Sequence, residues 1–148
     1  MPQNPPAYVI DTSVVLKWFV ERGEADVTEA RALREAFVQR RCQLSAPNFL
    51  FVELANALAV GQRQRPAEVR AALALMKSID LTVTPVGWES LNRAVELAMA
   101  KRIAVYDCCF LTSAVELGCL LVTADQVFLR RLGPHPNVVA LRELRLAG

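Results

Sequence analysis

A chain of 148 residues, 53% hydrophobic and 22% charged, is long enough to bury one core without disulfide staples, and no apolar run approaches the roughly 20 residues of a membrane span. The formal net charge of +2, from 17 basic against 15 acidic residues, is too small by itself to mark a nucleic-acid binder. The opening "MPQNPPAY" has neither a basic leader nor an apolar stretch. Residues 1–6 are therefore expected to be a short disordered lead into a single domain over residues 7–148, with a cytoplasmic address.

Along the chain, "AYVI" (7–10) reads as a buried strand running into a helix through Trp18 to Val20. An amphipathic helix follows from Asp26 to Arg41, with Ala30, Leu33 and Phe37 inward. "CQLSA" is a short strand, after which Pro47 is expected to open the next helix, a favourable first-turn position for proline. Two more helices carry Val69, Leu73, Met76 and Leu91, Ala94, Val95, Ala98 at helical spacing, separated by the strand "LTVTPV" (81–86). Phe110, Leu111, Ala114 and Val115 form an apolar stripe, Gly118 is a helix stop, and "CLLVT" is a buried strand. A short helix from Gln126 and a last strand, "NVVAL", complete the pattern. Alternating strands and helices argue for an α/β protein with a parallel sheet covered on both faces.

Cys42, Cys108, Cys109 and Cys119 form no Cys-x-x-Cys pair and read as small buried hydrophobes. His135, between prolines in "GPHPN", suits an exposed turn better than a catalytic base or zinc ligand.

Glu53 stands out because its same-face neighbours on a helix are Phe49, Leu50, Asn56, Ala57 and Val60. A carboxylate in such surroundings calls for a partner. Asp11 and Asp125 each end a strand and Asp107 precedes a helix. Each suits a helix N-cap, worth about 1 kcal/mol, and Tyr106 with Leu111 would bracket such a cap at Asp107. In an open parallel sheet, however, the carboxyl ends of the strands converge on one crevice, where Asp11 and Asp125 would meet close to Glu53. Carboxylates gathered there repel one another, and a divalent cation offsets that repulsion. Oxygen donors without histidine or thiolate favour Mg²⁺ or Mn²⁺, ions of phosphoryl chemistry. Setting four acids aside leaves 17 basic against 11 acidic residues, a formal +6 around an acidic hole. Arginines in "QRR", "QRQR" and "LRR" suit phosphate contacts.

The segments "VIDTSVVLKWF", "NFLFVELANAL" and "VYDCCFLTSAVELGCLLVTAD", in this order, resemble the PIN-domain ribonucleases, in particular the VapC-like toxins of prokaryotic toxin–antitoxin pairs. That resemblance implies a three-layer α/β/α sandwich with a central parallel sheet of about five strands. It makes Asp11, Glu53, Asp107 and Asp125 the catalytic, metal-binding acids, with Thr12 or Ser13 and Thr123 as hydroxyls beside them and Asn56 as a supporting polar residue. It further implies Mg²⁺, with Mn²⁺ as a substitute, and hydrolysis of single-stranded or looped RNA. A small antitoxin protein and a two-fold homodimer are the implied partners, and the nearly all-apolar helix from Phe49 to Val60 is expected to be either buried within its domain or partly covered by a second subunit. A response-receiver domain or a haloacid-dehalogenase phosphatase would need a second acid near the first, and "VIDTSV" has only one. A non-catalytic relative serving as an RNA-binding or protein-interaction module is the remaining alternative.

Overall fold

The computed structural model describes residues 3–146. Met1 and Pro2 of the expected lead, and Ala147 and Gly148 of the expected domain, lie outside the described residues. Five strands, β1 (Ala7–Ile10), β2 (Gln43–Pro47), β3 (Thr82–Thr84), β4 (Leu120–Thr123) and β5 (Val138–Ala140), form one sheet in the order β3-β2-β1-β4-β5, parallel throughout. Helices α1 (Thr12–Leu16), α2 (Val27–Val38), α3 (Leu50–Asn56), α4 (Pro66–Ile79), α5 (Trp88–Lys101), α6 (Val105–Leu117) and α7 (Gln126–Leu132) alternate with them.

The strand order places the site. The chain moves outward from β1 to β2 and β3, then returns across the sheet to lay β4 on the other side of β1. Right-handed crossovers in opposite directions put their helices on opposite faces, which gives the expected three layers. α6 packs across β1, β2 and β4, and α5 packs on α6. Covered from both sides, β1 and β4 need no polar face: Val9, Ile10, Leu121 and Val122 are all fully buried. The reversal of direction opens a crevice between the carboxyl ends of β1 and β4.

Several boundaries depart from the sequence expectation. Pro47 closes β2 and does not open α3, because it pairs with Thr84 and the next amide, Asn48, donates to the Thr84 carbonyl at 3.0 Å. A proline without an N–H fits the end of a strand whose following residue supplies the donor. α1 stops at Leu16, and the chain reaches Val20 through tight turns, with Trp18 donating its indole N–H to the Ala30 carbonyl at 2.8 Å. In α2 Ala36 takes the buried place expected of Phe37, which packs half-buried at the margin. Val95 and Val115, expected inward, are exposed, and Cys119 is half-buried where the other three cysteines are buried. α3 continues into a π-helical turn, Ala57–Gly61, in which the Gln62 amide reaches the Ala57 carbonyl at 2.8 Å.

Candidate active site

Asp11 follows β1 directly, and its position is fixed by the sheet. Ile10 pairs with Val122, so the next residue of each strand, Asp11 and Thr123, meet side by side. The fully buried Thr123 hydroxyl donates to Asp11 Oδ2 at 2.5 Å, and the Ser13 hydroxyl donates to Asp11 Oδ1 at 2.5 Å. Ser13 Oγ also accepts the Ala124 amide at 2.9 Å, which stitches the start of α1 to the end of β4. Asp11 is at the same time the N-cap of α1, accepting the Val14 amide at 3.4 Å. Asp125 caps α7 through the Phe128 amide at 2.9 Å. For these two residues the capping role and the site are one geometry, since a cap at the carboxyl end of a strand already faces the crevice.

Asp107 is not a cap. α6 begins two residues earlier, at Val105, with Ala104 in the cap position, so Asp107 lies inside the first turn. Tyr106 is correspondingly exposed while Leu111 is buried, and no staple forms between them. A carboxylate in the first turn still faces the positive end of the helix dipole. Glu53 lies in the first turn of α3, half-buried, and accepts the Thr12 hydroxyl on Oε1 at 2.9 Å. Thr12 and Ser13, alternatives on the sequence, thus serve different acids. Asn56 lies on the exposed side of α3 without a hydrogen-bond partner among the described residues.

The electrostatics tie the four acids into one neighbourhood. Burial first, then the charges of Asp125, Asp11 and Glu53, together push Asp107 up to about 7. Asp11 keeps some contact with solvent, yet the protein around it raises its carboxyl to about 6 against the opposing hydrogen bonds from Ser13, Thr123 and the Val14 amide. Burial raises Glu53 as well, opposed by its bond from Thr12. Among the described residues no three such side chains are already drawn into a finished cage for an ion. The donor chemistry nevertheless fits a hard cation. Asp125 Oδ1 and Glu53 Oε1 are occupied by hydrogen bonds, leaving Asp125 Oδ2, Glu53 Oε2 and the Asp107 carboxylate without a hydrogen-bond partner among the described residues. The neighbouring thiols do not compete: burial and the adjacent Asp107 push Cys108 up to about 11, and burial and Glu53 raise Cys109.

An open parallel α/β/α sheet with acids at its topological switch point defines the class of doubly wound domains that place a ligand crevice at the carboxyl ends of the strands. The PIN-domain family model matches residues 8–133, and the chain belongs to that family, whose members are nucleases. No curated protein matches the sequence. The fold is similar to that of PAE2754 from Pyrobaculum aerophilum, with a TM-score of 0.64 at 18% identity, covering 93% of this chain and 90% of that one. It is similar to VapC20 of Mycobacterium tuberculosis, a sarcin-ricin loop cleaving toxin, with a TM-score of 0.58 at 17% identity over 75% of this chain and 83% of that one. It also resembles a chain of VapBC2 from Rickettsia felis, solved bound to a DNA fragment from the VapBC2 promoter, with a TM-score of 0.63 at 16% identity over 90% of this chain and 96% of that one.

Proposed function

We propose that this PIN domain is a metal-dependent endoribonuclease and the toxin of a toxin–antitoxin pair, using Mg²⁺ with Mn²⁺ as a substitute. The observation that supports the reading is that Asp107 feels the charges of three acids distant in sequence, Asp125, Asp11 and Glu53. These four side chains would hold the ion. When bound, it supplies Lewis-acid stabilisation of the phosphate and makes water a better nucleophile near neutral pH. Ser13 and Thr123 fix both oxygens of Asp11, and Thr12 fixes Glu53, so the carboxylates meet the substrate already oriented.

A sarcin-ricin loop is the target of one toxin of this fold, which supports RNA as the substrate class. VapBC2 supports a small protein partner. An Arg from such a partner, entering the pocket, would pair with the carboxylates in competition with the ion. On this view Asp107→Ala with Asp125→Ala weakens the complex as well as abolishing cleavage. The working form is a homodimer in the cytoplasm, joined through the exposed apolar side of α3.

Asp11→Asn tests the site directly. Asn keeps an acceptor for the Val14 amide, so the helix cap survives while one ligand charge is lost. The folded variant should show no Mn²⁺ heat by titration calorimetry and lose cleavage by more than about 100-fold. Undiminished RNA cleavage by the folded variant would overturn the assignment.

A further inference from the structure

A second cavity lies beside the acids. It is a groove of about 710 Å³ between α7 and the chain following β5, lined by Gln126, Arg130, His135, Ala140, Arg142 and Glu143 among others. Its inner end adjoins the crevice, because Gln126 follows Asp125 directly and Ala140 pairs across the sheet with Thr123, the hydroxyl donor to Asp11. We propose that this groove is the track for the RNA backbone beside the scissile phosphate, with Arg130 as its principal phosphate contact. The proposal rests on the ribonuclease reading and extends it to substrate positioning.

Three observations carry it. The first concerns the two adjacent arginines of α7, which are used differently. Arg131 donates to the Arg102 carbonyl at 2.6 Å and closes the end of α5, whereas the exposed Arg130 has no hydrogen bond or ion pair among the described residues. The second is the state of His135, whose Nδ1 accepts the Asn137 amide at 3.0 Å. That bond places the ring proton of the neutral imidazole on Nε2, a donor for an anionic oxygen in the groove it lines. The third is charge: two arginines line the groove against one carboxylate, Glu143, and Arg142 is shared with Asp26 at 3.6 Å. Acids gathered at the crevice repel incoming phosphates, so a strand must be held by a cation close by, and Arg130, the one groove arginine without a carboxylate partner among the described residues, stands in a groove opening off the crevice.

The test uses the cleavage-deficient Asp11→Asn protein and a fluorescent single-stranded RNA, with affinity measured by anisotropy across a salt series. For single strands, log K falls with log salt by about 0.7 per phosphate neutralised. Arg130→Gln should weaken binding and make this slope shallower by about 0.7, and Arg130→Gln with Arg142→Gln shallower still. Arg70→Gln, on the exposed side of α4, is the control and should change neither. In the cleaving protein, Arg130→Gln should raise KM while kcat holds. An unchanged slope in both arginine variants overturns the groove and leaves the nuclease reading standing. Binding of an acidic peptide but no RNA at the groove also overturns it. If the native protein with Mn²⁺ neither binds nor cuts any RNA, the nuclease reading falls and the groove falls with it.

Discussion

The Thr123 hydroxyl donates to Asp11 across 112 residues of sequence and, at the same oxygen, accepts the Asp125 amide at 3.1 Å. One buried side chain therefore positions two of the four acids. Thr123→Val keeps the shape and removes both bonds, leaving an Asp11 oxygen and a backbone N–H without partners. Stability should fall by about 1–3 kcal/mol in chemical denaturation. The Asp11 carboxyl, no longer lowered by this donor, should titrate higher still by carbonyl NMR, and Thr123→Ser should restore it. An unmoved Asp11 titration would show that the bond does not tune the acid.

Stability of the metal-free protein should fall as pH rises towards neutrality. Burial holds Asp11 at about 6 and Asp107 at about 7, whereas in the unfolded chain both return to about 3.9. Between these values the folded state binds more protons than the unfolded state. The contribution is thus fully present below pH of about 4, is lost as pH climbs through about 6 to 7, and then levels off. Asp11 accounts for up to about 3 kcal/mol, and the more exposed Asp107 for a solvent-screened fraction. Urea midpoints in chelator should drop between pH 5 and pH 8, and Mn²⁺ should recover more stability at pH 8, where the ligands are deprotonated. A midpoint rising with pH in chelator contradicts this.

Glu53→Gln separates charge from shape on α3. Burial disfavours the Glu53 carboxylate, so the neutral amide should leave the metal-free protein as stable or slightly more stable. Cleavage should nevertheless fall. A marked loss of melting temperature in the metal-free variant would instead reveal a structural role for the carboxylate.

The outer side of α3 leaves Val52 72% exposed and Val60, in the π-helical turn, 69% exposed. Apolar side chains presented together on one helix invite cover by another subunit. The native protein should have a dimeric mass by light scattering at micromolar concentration, and Val52→Glu should convert it to a folded monomer. A native monomer, or a Val52→Glu dimer, would place the contact elsewhere or remove it.

Much of the sheet was legible because its inner strands are short apolar runs bounded by acids. "AYVI" and "CLLVT" became β1 and, one residue shorter, β4, and Asp11 and Asp125 followed from where those strands stop. The edge strands were overextended on the sequence, since "LTVTPV" supports only Thr82–Thr84. Asp107 entered the candidate site through the family resemblance, and its expected N-cap role falls instead to Ala104. α6 is buried on most sides, with Cys108, Cys109, Phe110, Leu111 and Thr112 all inside, so no polar face marked where it begins. The pairing of Thr12 with Glu53 and of Ser13 with Asp11 depends on how α1 turns off β1, a rotation that no spacing in "DTS" records.

The distance along the chain between Asp11 and its partner on β4 also bears on synthesis. Non-local parallel pairings form late because long loops must close first. While a chain grows at about 5–20 residues per second, every product shorter than β4 lacks both the Thr123 hydroxyl that orients Asp11 and the acid at position 125. A growing chain therefore carries no finished acidic site until nearly the whole domain has emerged.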